Sequence, residues 1–253
     1  FRESMGKQDV RVRLILSWIF TTVSVIMAMT VPFLSKVAHF TASMVFLYSV
    51  ASGAAVVLSG YFCKFFGDRI GSRPLIIWNG GVLVAIIFAW MSVPASSGPV
   101  VLIVLGVLLN FFLGVVNILI RRLVAAVIPD DEGVAFNSMV NFVIAFFALF
   151  GGLAGGALAT LGSHVPHGFS IGETALGNSY LFTFLSALIL SVFGLALSVR
   201  FREKGSLSNR SAAQILFSLH GLRAFMDIDR LDKVTDPVRS EERRVGKECR
   251  SRW

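Results

Sequence analysis

The sequence predicts an all-α membrane protein with six transmembrane helices and both termini cytoplasmic. Composition comes first. Of 253 residues, 55% are hydrophobic and 15% charged, against roughly 45–50% and roughly 25% in soluble domains. The charges are also segregated: no Asp, Glu, Lys or Arg occurs between Pro74 and Ile120, and Glu173 is the only one from Gly133 to Val199. A spanning helix needs about 20 apolar residues, so each run has room for two spans and a short connection. The third observation is that the basic residues flank these runs on alternate sides. A mean hydropathy of +0.75 excludes disorder, collagen-like sequence and a disulfide-stapled secreted module.

Read against Pro, Gly and polar breaks, the apolar runs predict helices over residues 14–34, 42–63, 75–93, 100–120, 139–161 and 180–199. Pro32 is expected to bend or end the first of these at its external side, because proline removes a backbone donor and clashes with the preceding turn. Residues 1–13 form a cytoplasmic lead-in, 14–202 the six-helix body and 203–238 a cytoplasmic tail. Sixteen Lys and Arg fall on one side of the spans, counted up to Val238, and Lys36 alone on the other. That bias orients the basic side to the cytoplasm of a cell (inner) membrane. It also explains the formal charge of +8 without nucleic acid as a partner. No signal-cleavage pattern is present. The chain opens at Phe1 rather than at Met5 and is expected to be a fragment whose upstream part is missing.

In the tail, Ser211-Ala-Ala-Gln214 is a capping-box pattern, and Ile215, Leu216, Leu219, Leu222, Met226 and Leu231 recur at helical spacing opposite Arg223, Asp227, Arg230 and Lys233. This predicts an amphipathic helix in the membrane interface. Residues 239–253, RSEERRVGKECRSRW, break that pattern with a sudden rise in charge. They resemble the in-frame translation of a sequencing adapter and are set aside from fold reasoning.

The segment between the second and third spans reads Lys64-Phe-Phe-Gly67-Asp68-Arg69-Ile-Gly71-Ser72-Arg73-Pro74. Gly71 permits a tight turn, and Asp68 suits the positive end of a neighbouring helix. The spacing of Asp68, Arg69, Gly71 and Arg73 resembles the signature loop of the major facilitator superfamily, and the ending G-S-R-P is similar to its second-half variant. Lys64 and Ser72 depart from the first-half pattern. The resemblance covers roughly residues 13–202. It implies the C-terminal six-helix half of a secondary transporter, arranged as two inverted three-helix repeats, that works by alternating access with an N-terminal half. It also implies a latch in which Asp68 engages Arg121 or Arg122 and the start of the fifth span, behind Asp130, Asp131 and Glu132.

No charged side chain lies within a span. Ser17, Thr21 and Ser24 share a face of the first span with Trp18 adjacent, and Asn110 and Asn117 share a face of the fourth. Intramembrane polar groups mark pathways or helix contacts. The resemblance implies that the first and fourth spans line the central cavity, making Trp18, Thr21, Asn110 and Asn117 its candidates, while the third and sixth face lipid. The alternative for Asn and Ser is an interhelical hydrogen bond. Gly151, Gly152, Gly155 and Gly156 form two overlapping G-x-x-x-G spacings, a signal for close helix packing.

His164, His167 and Glu173 share a loop without metal-site geometry, so no metal or other cofactor is expected. No G-x-S-x-G or H-E-x-x-H pattern occurs. The expected partners are the lipid bilayer, the preceding half, and a small solute with or without a coupling ion. A six-helix membrane scaffold or enzyme sharing only this topology is the alternative reading. Sequencing of the source DNA is expected to show the genomic reading frame departing near Arg239, and uninterrupted genomic sequence through Trp253 would refute the adapter reading.

Overall fold

The computed structural model describes residues 8–93, 97–127, 133–164 and 180–200. Seven helices follow in order: α1 (Gln8–Met27), α2 (Thr30–Lys36), α3 (Ala42–Ile70), α4 (Ser72–Ser92), α5 (Pro99–Ala125), α6 (Gly133–Ser163) and α7 (Leu181–Arg200). Because α1 and α2 together make one span, the described residues hold six stretches long and apolar enough to cross a bilayer. Away from its ends, a helix satisfies its backbone groups internally, which hydrocarbon demands.

The break in the first span falls one turn before the proline that causes it. Pro32 has no N–H to offer the carbonyl of Ala28, and its ring crowds that carbonyl. The chain turns at Ala28 and Met29, where Met29 N–H reaches the Ile26 carbonyl and Val31 N–H the Ala28 carbonyl. The helix then resumes with Pro32 in its first turn, where a missing donor costs nothing. His39 at φ 53° closes the turn into α3, and the Thr41 side chain caps α3 by accepting from Met44 N–H.

The segment expected as a loop between the second and third spans is almost entirely helical. α3 continues through Lys64, Asp68 and Arg69 to Ile70, and α4 begins at Ser72. Charges past the apolar stretch do not end a helix; Gly71 does, at φ 92° and ψ 157°. That conformation is essentially open only to glycine. Other boundaries shift the same way: α1 starts at Gln8 within the expected lead-in, α5 includes Arg121 and Arg122, and α6 starts at Gly133 rather than near 139.

α1 and α5 cross at the centre. α6 and α7 pack on α1, α3 and α4 pack on α5, and α4 packs on α7. Lipid tails are as apolar as leucine, so helix association rests on close fit rather than on exclusion of water. The close approaches run through glycines. Gly106 leaves the space that the Tyr48 ring fills, Gly114 receives Ser59, and Gly194 receives the Phe20 ring. At the end of the bundle away from Gly71, Phe33 of α2 meets Trp90 of α4 edge-on with ring centroids 6.0 Å apart, and Phe184 of α7 at 5.7 Å. All three rings are fully buried.

The third and sixth spans are not the most exposed. Half of the apolar stretch of α4 is buried, against 22% for α3 and 11% for α6. The cause is that α4 and α7 pack on each other as well as on the central pair, while α3 and α6 lean mainly on one helix each.

Gly71→Ala is expected to destabilise the protein by about 1–3 kcal/mol, the cost of holding a side chain in that backbone region. Thermal unfolding in detergent checks this, and an unchanged midpoint would contradict it.

Candidate functional site

Two features stand out, one at the basic end of the bundle and one inside it. At the basic end, arginines bind carbonyls of neighbouring helices. Arg13 of α1 donates to the Leu123 carbonyl in the last turn of α5 at 2.9 Å, and Arg73 of α4 donates to the Val199 carbonyl at the end of α7 at 2.9 Å. The last carbonyls of a helix lack intrahelical partners and carry its negative end, so a guanidinium is favoured there. Arg122 of α5 reaches α3: its Nη1 lies 3.5 Å from the Cys63 carbonyl and fills the space beside Gly67.

Of the expected latch, the structure therefore brings Arg122 to the residue preceding Asp68, while Arg121 is exposed. The side chains of Asp68 and Arg69 lie outside the described residues, as do Asp130, Asp131 and Glu132. Gly71 takes the turn that its place in the motif required.

The second feature is a cavity of about 220 Å³ between the α1–α2 break, α3 and α5. Its polar lining is Ser24, Thr30, Tyr48, Ser49, Ser52 and Asn110. None of the described lining residues is charged. The Thr30 and Tyr48 hydroxyls lie 3.1 Å apart and are buried. Asn110 Nδ2 donates to the Gly106 carbonyl one turn back at 2.9 Å, which leaves its other N–H and its carbonyl oxygen. Ser52 is 8% exposed, and among the described residues its Oγ has no hydrogen-bond partner.

Asn110 and Asn117, two turns apart on α5, serve different ends. Asn110 lines the cavity; Asn117 Nδ2 donates across to Ser24 Oγ at 2.7 Å and to its own helix at the Leu113 carbonyl. Ser24 in turn donates to the Phe20 carbonyl. This is an interhelical bond at the α1–α5 crossing. Trp18 stacks on Phe147 of α6 with centroids 4.9 Å apart, beside the buried cluster of Val10, Leu14, Val124, Phe136 and Val140. Neither Trp18 nor Thr21 lines the cavity.

The glycines of α6 divide by face. Gly151 abuts Thr22, and Gly155 abuts Ile26 and Met29, so this pair seats α6 on α1. A methyl at Gly152 would meet Val25 at ordinary contact distance, and Gly156 faces open space. Sequence reasoning missed Tyr48, Ser52 and Thr30. The signal was the pairing of a tyrosine on α3 with Gly106 on α5, legible only once the two helices are known to touch. Arg13 was read only as part of the orienting charge.

Among the described residues no three His, Cys, Asp or Glu side chains gather as a metal site. His164 Nδ1 is 2.8 Å from the Thr160 carbonyl. His167, Glu173 and the tail helix and adapter-like stretch over residues 201–253 lie outside the described residues.

A double-mutant cycle of Ser24→Ala and Asn117→Leu is expected to give a coupling of about 0.6 kcal/mol, the usual worth of such bonds in membranes. Unfolding in mild detergent measures it, and strictly additive effects would contradict the bond. No protein-family model matches this chain, and no curated protein or solved structure matches it either.

Proposed function

We propose that the chain is a six-helix half of a facilitator-type secondary transporter. In this reading it moves a small solute across a cell membrane by alternating access with a second six-helix half. Its basic end lies in the cytoplasm, where the sixteen-to-one bias of Lys and Arg puts it.

The observation that carries this reading is the pattern of helix contacts. Exchange the first three spans for the last three, and contacting pairs turn into contacting pairs. α1 on α6 becomes α5 on α3, α1 on α7 becomes α5 on α4, α3 on α4 becomes α6 on α7, and the α1–α5 and α4–α7 contacts map onto themselves. Only the local α2–α3 contact beside their shared turn stands apart. In a chain that crosses the membrane alternately, spans three apart run in opposite directions, so the exchange inverts the repeat. Inverted repeats with a binding site at their interface, bordered by a discontinuous helix, are the general plan of secondary transporters. The cavity lies against α1 and α5, the two helices that exchange, and against the break at Ala28 and Met29.

The basic end supports the same reading. Hydrogen bonds from Arg13 and Arg73 to the last carbonyls of α5 and α7 tie neighbouring helices together at this end. A single-residue hinge at Gly71 joins α3 to α4 at this end. Such contacts suit a face that opens and closes.

The test is alternating exposure of Asn110. In membranes carrying the full-length protein with Cys63→Ser and Cys249→Ser, Asn110→Cys is expected to react with an impermeant maleimide from either side of the membrane. Asp68→Asn is expected to shift reaction toward the cytoplasmic side with unchanged insertion. Labelling from one side only, unaffected by Asp68→Asn, would overturn the reading.

A further inference from the structure

The lining of the cavity narrows what it can hold. This inference rests on the transporter reading in taking the cavity as part of the solute path. No Asp, Glu, Lys, Arg or His is among its described lining residues. An ionic solute would leave water for a site with no counter-charge, and such desolvation is costly at membrane depth. A purely apolar solute fits no better, because it would seal polar groups away from any partner.

Those groups can be counted. Ser52 Oγ, buried and without a partner among the described residues, offers one donor and two acceptor positions. Asn110 offers a carbonyl oxygen and one N–H after its bond to Gly106. In the Thr30–Tyr48 pair one hydroxyl donates to the other, so one hydroxyl hydrogen is left for a third group. Ser24 is committed, since it donates to Phe20 and accepts from Asn117. The Ser49 hydroxyl is committed as a donor to the Val45 carbonyl. What remains is a set of neutral donors and acceptors on three helices.

We propose that the cavity between the α1–α2 break, α3 and α5 binds an uncharged, hydroxyl-rich solute, held by Ser52, Asn110 and the Thr30–Tyr48 hydroxyl pair. Each hydroxyl of such a solute donates and accepts, as each of these groups requires. Neighbouring hydroxyls match the adjacent oxygen and N–H of the Asn110 amide. At about 220 Å³ the cavity is smaller than the roughly 300–1,000 Å³ that houses drug-sized ligands, so the solute is compact. Gly106 contributes indirectly: its missing side chain lets the Tyr48 ring lie against α5 and brings the phenol to Thr30.

The experiment is equilibrium binding to the purified full-length protein in lipid nanodiscs. The neutral probes are erythritol, xylitol and glucose; gluconate and glucosamine are the charged ones. At least one neutral probe is expected to bind tenfold or more tightly than both charged probes. Ser52→Ala and Asn110→Leu are each expected to weaken that binding about threefold to tenfold, the worth of one or two neutral hydrogen bonds. Ser191→Ala, which removes another buried unpartnered hydroxyl away from the cavity, is expected to leave it unchanged. Should Asn110→Leu fail to fold, protection of Ser52→Cys from N-ethylmaleimide by the bound probe reads the same contact. Equal or tighter binding of a charged probe, no binding of any neutral probe, or a Ser52→Ala effect no larger than that of Ser191→Ala would overturn the proposal. Flux through liposomes separates the two readings. Neutral binding without flux keeps the ligand class and removes the transporter, whereas flux of an ionic solute without neutral binding does the reverse.

Discussion

The crossing of α1 and α5 is the contact on which the rest of the bundle is built. α3, α4 and α6 each rest chiefly on one of these two and α7 rests on α1 and α4 alike, and a bilayer gives the central pair no water to exclude as they meet. Attraction must then come from close approach and from polar bonds inside the seam. Asn117 and Ser24 supply such a bond at 2.7 Å. Its net worth is modest, but it fixes the register of the two helices. Register decides everything lateral to it. Given that crossing, Gly151 and Gly155 meet α1, Gly106 and Gly114 meet α3, and the space between the α1–α2 break, α3 and α5 is left open.

The same pair explains why polarity inside the spans is sparse and uneven. Asn117 is spent on structure, and Asn110, two turns away, is turned to the cavity. One face of one helix thus holds a fastening and a lining residue. Ser52 on α3 completes the lining although nothing on its own helix demands a hydroxyl there. At the basic end, by contrast, guanidiniums bind backbone carbonyls of α5, α7 and α3. The bundle therefore carries its charge at its ends and neutral hydrogen-bonding groups at mid-depth.

Much of this was legible in the sequence because the bilayer imposes a coarse and strict pattern. Long uncharged runs mark spans, and all six appear. Ends were harder to read, for a physical reason. Lys64, Asp68 and Arg69 lie past the apolar stretch and look like loop, yet a helix persists until a residue refuses its backbone geometry, which here is Gly71. Pro32 signalled a bend, but the helix is interrupted one turn earlier, at Ala28 and Met29. Asn110 was visible by spacing on its helix face. Ser52, Thr30 and Tyr48 were not, because hydroxyls in membrane helices ordinarily bond their own backbone, and only the placement of α3 against α5 shows that these face a cavity. Trp18 drew attention as a polar aromatic beside Thr21 and instead stacks in the α1–α6 seam.

The most direct measurement of the central claim is a trapping experiment. Liposomes containing the full-length protein are incubated in a cell metabolite extract and washed, and their contents are identified by mass spectrometry. The account predicts that at least one compact, uncharged, hydroxyl-rich solute accumulates above the level in empty liposomes. Contents indistinguishable from those of empty liposomes would contradict it.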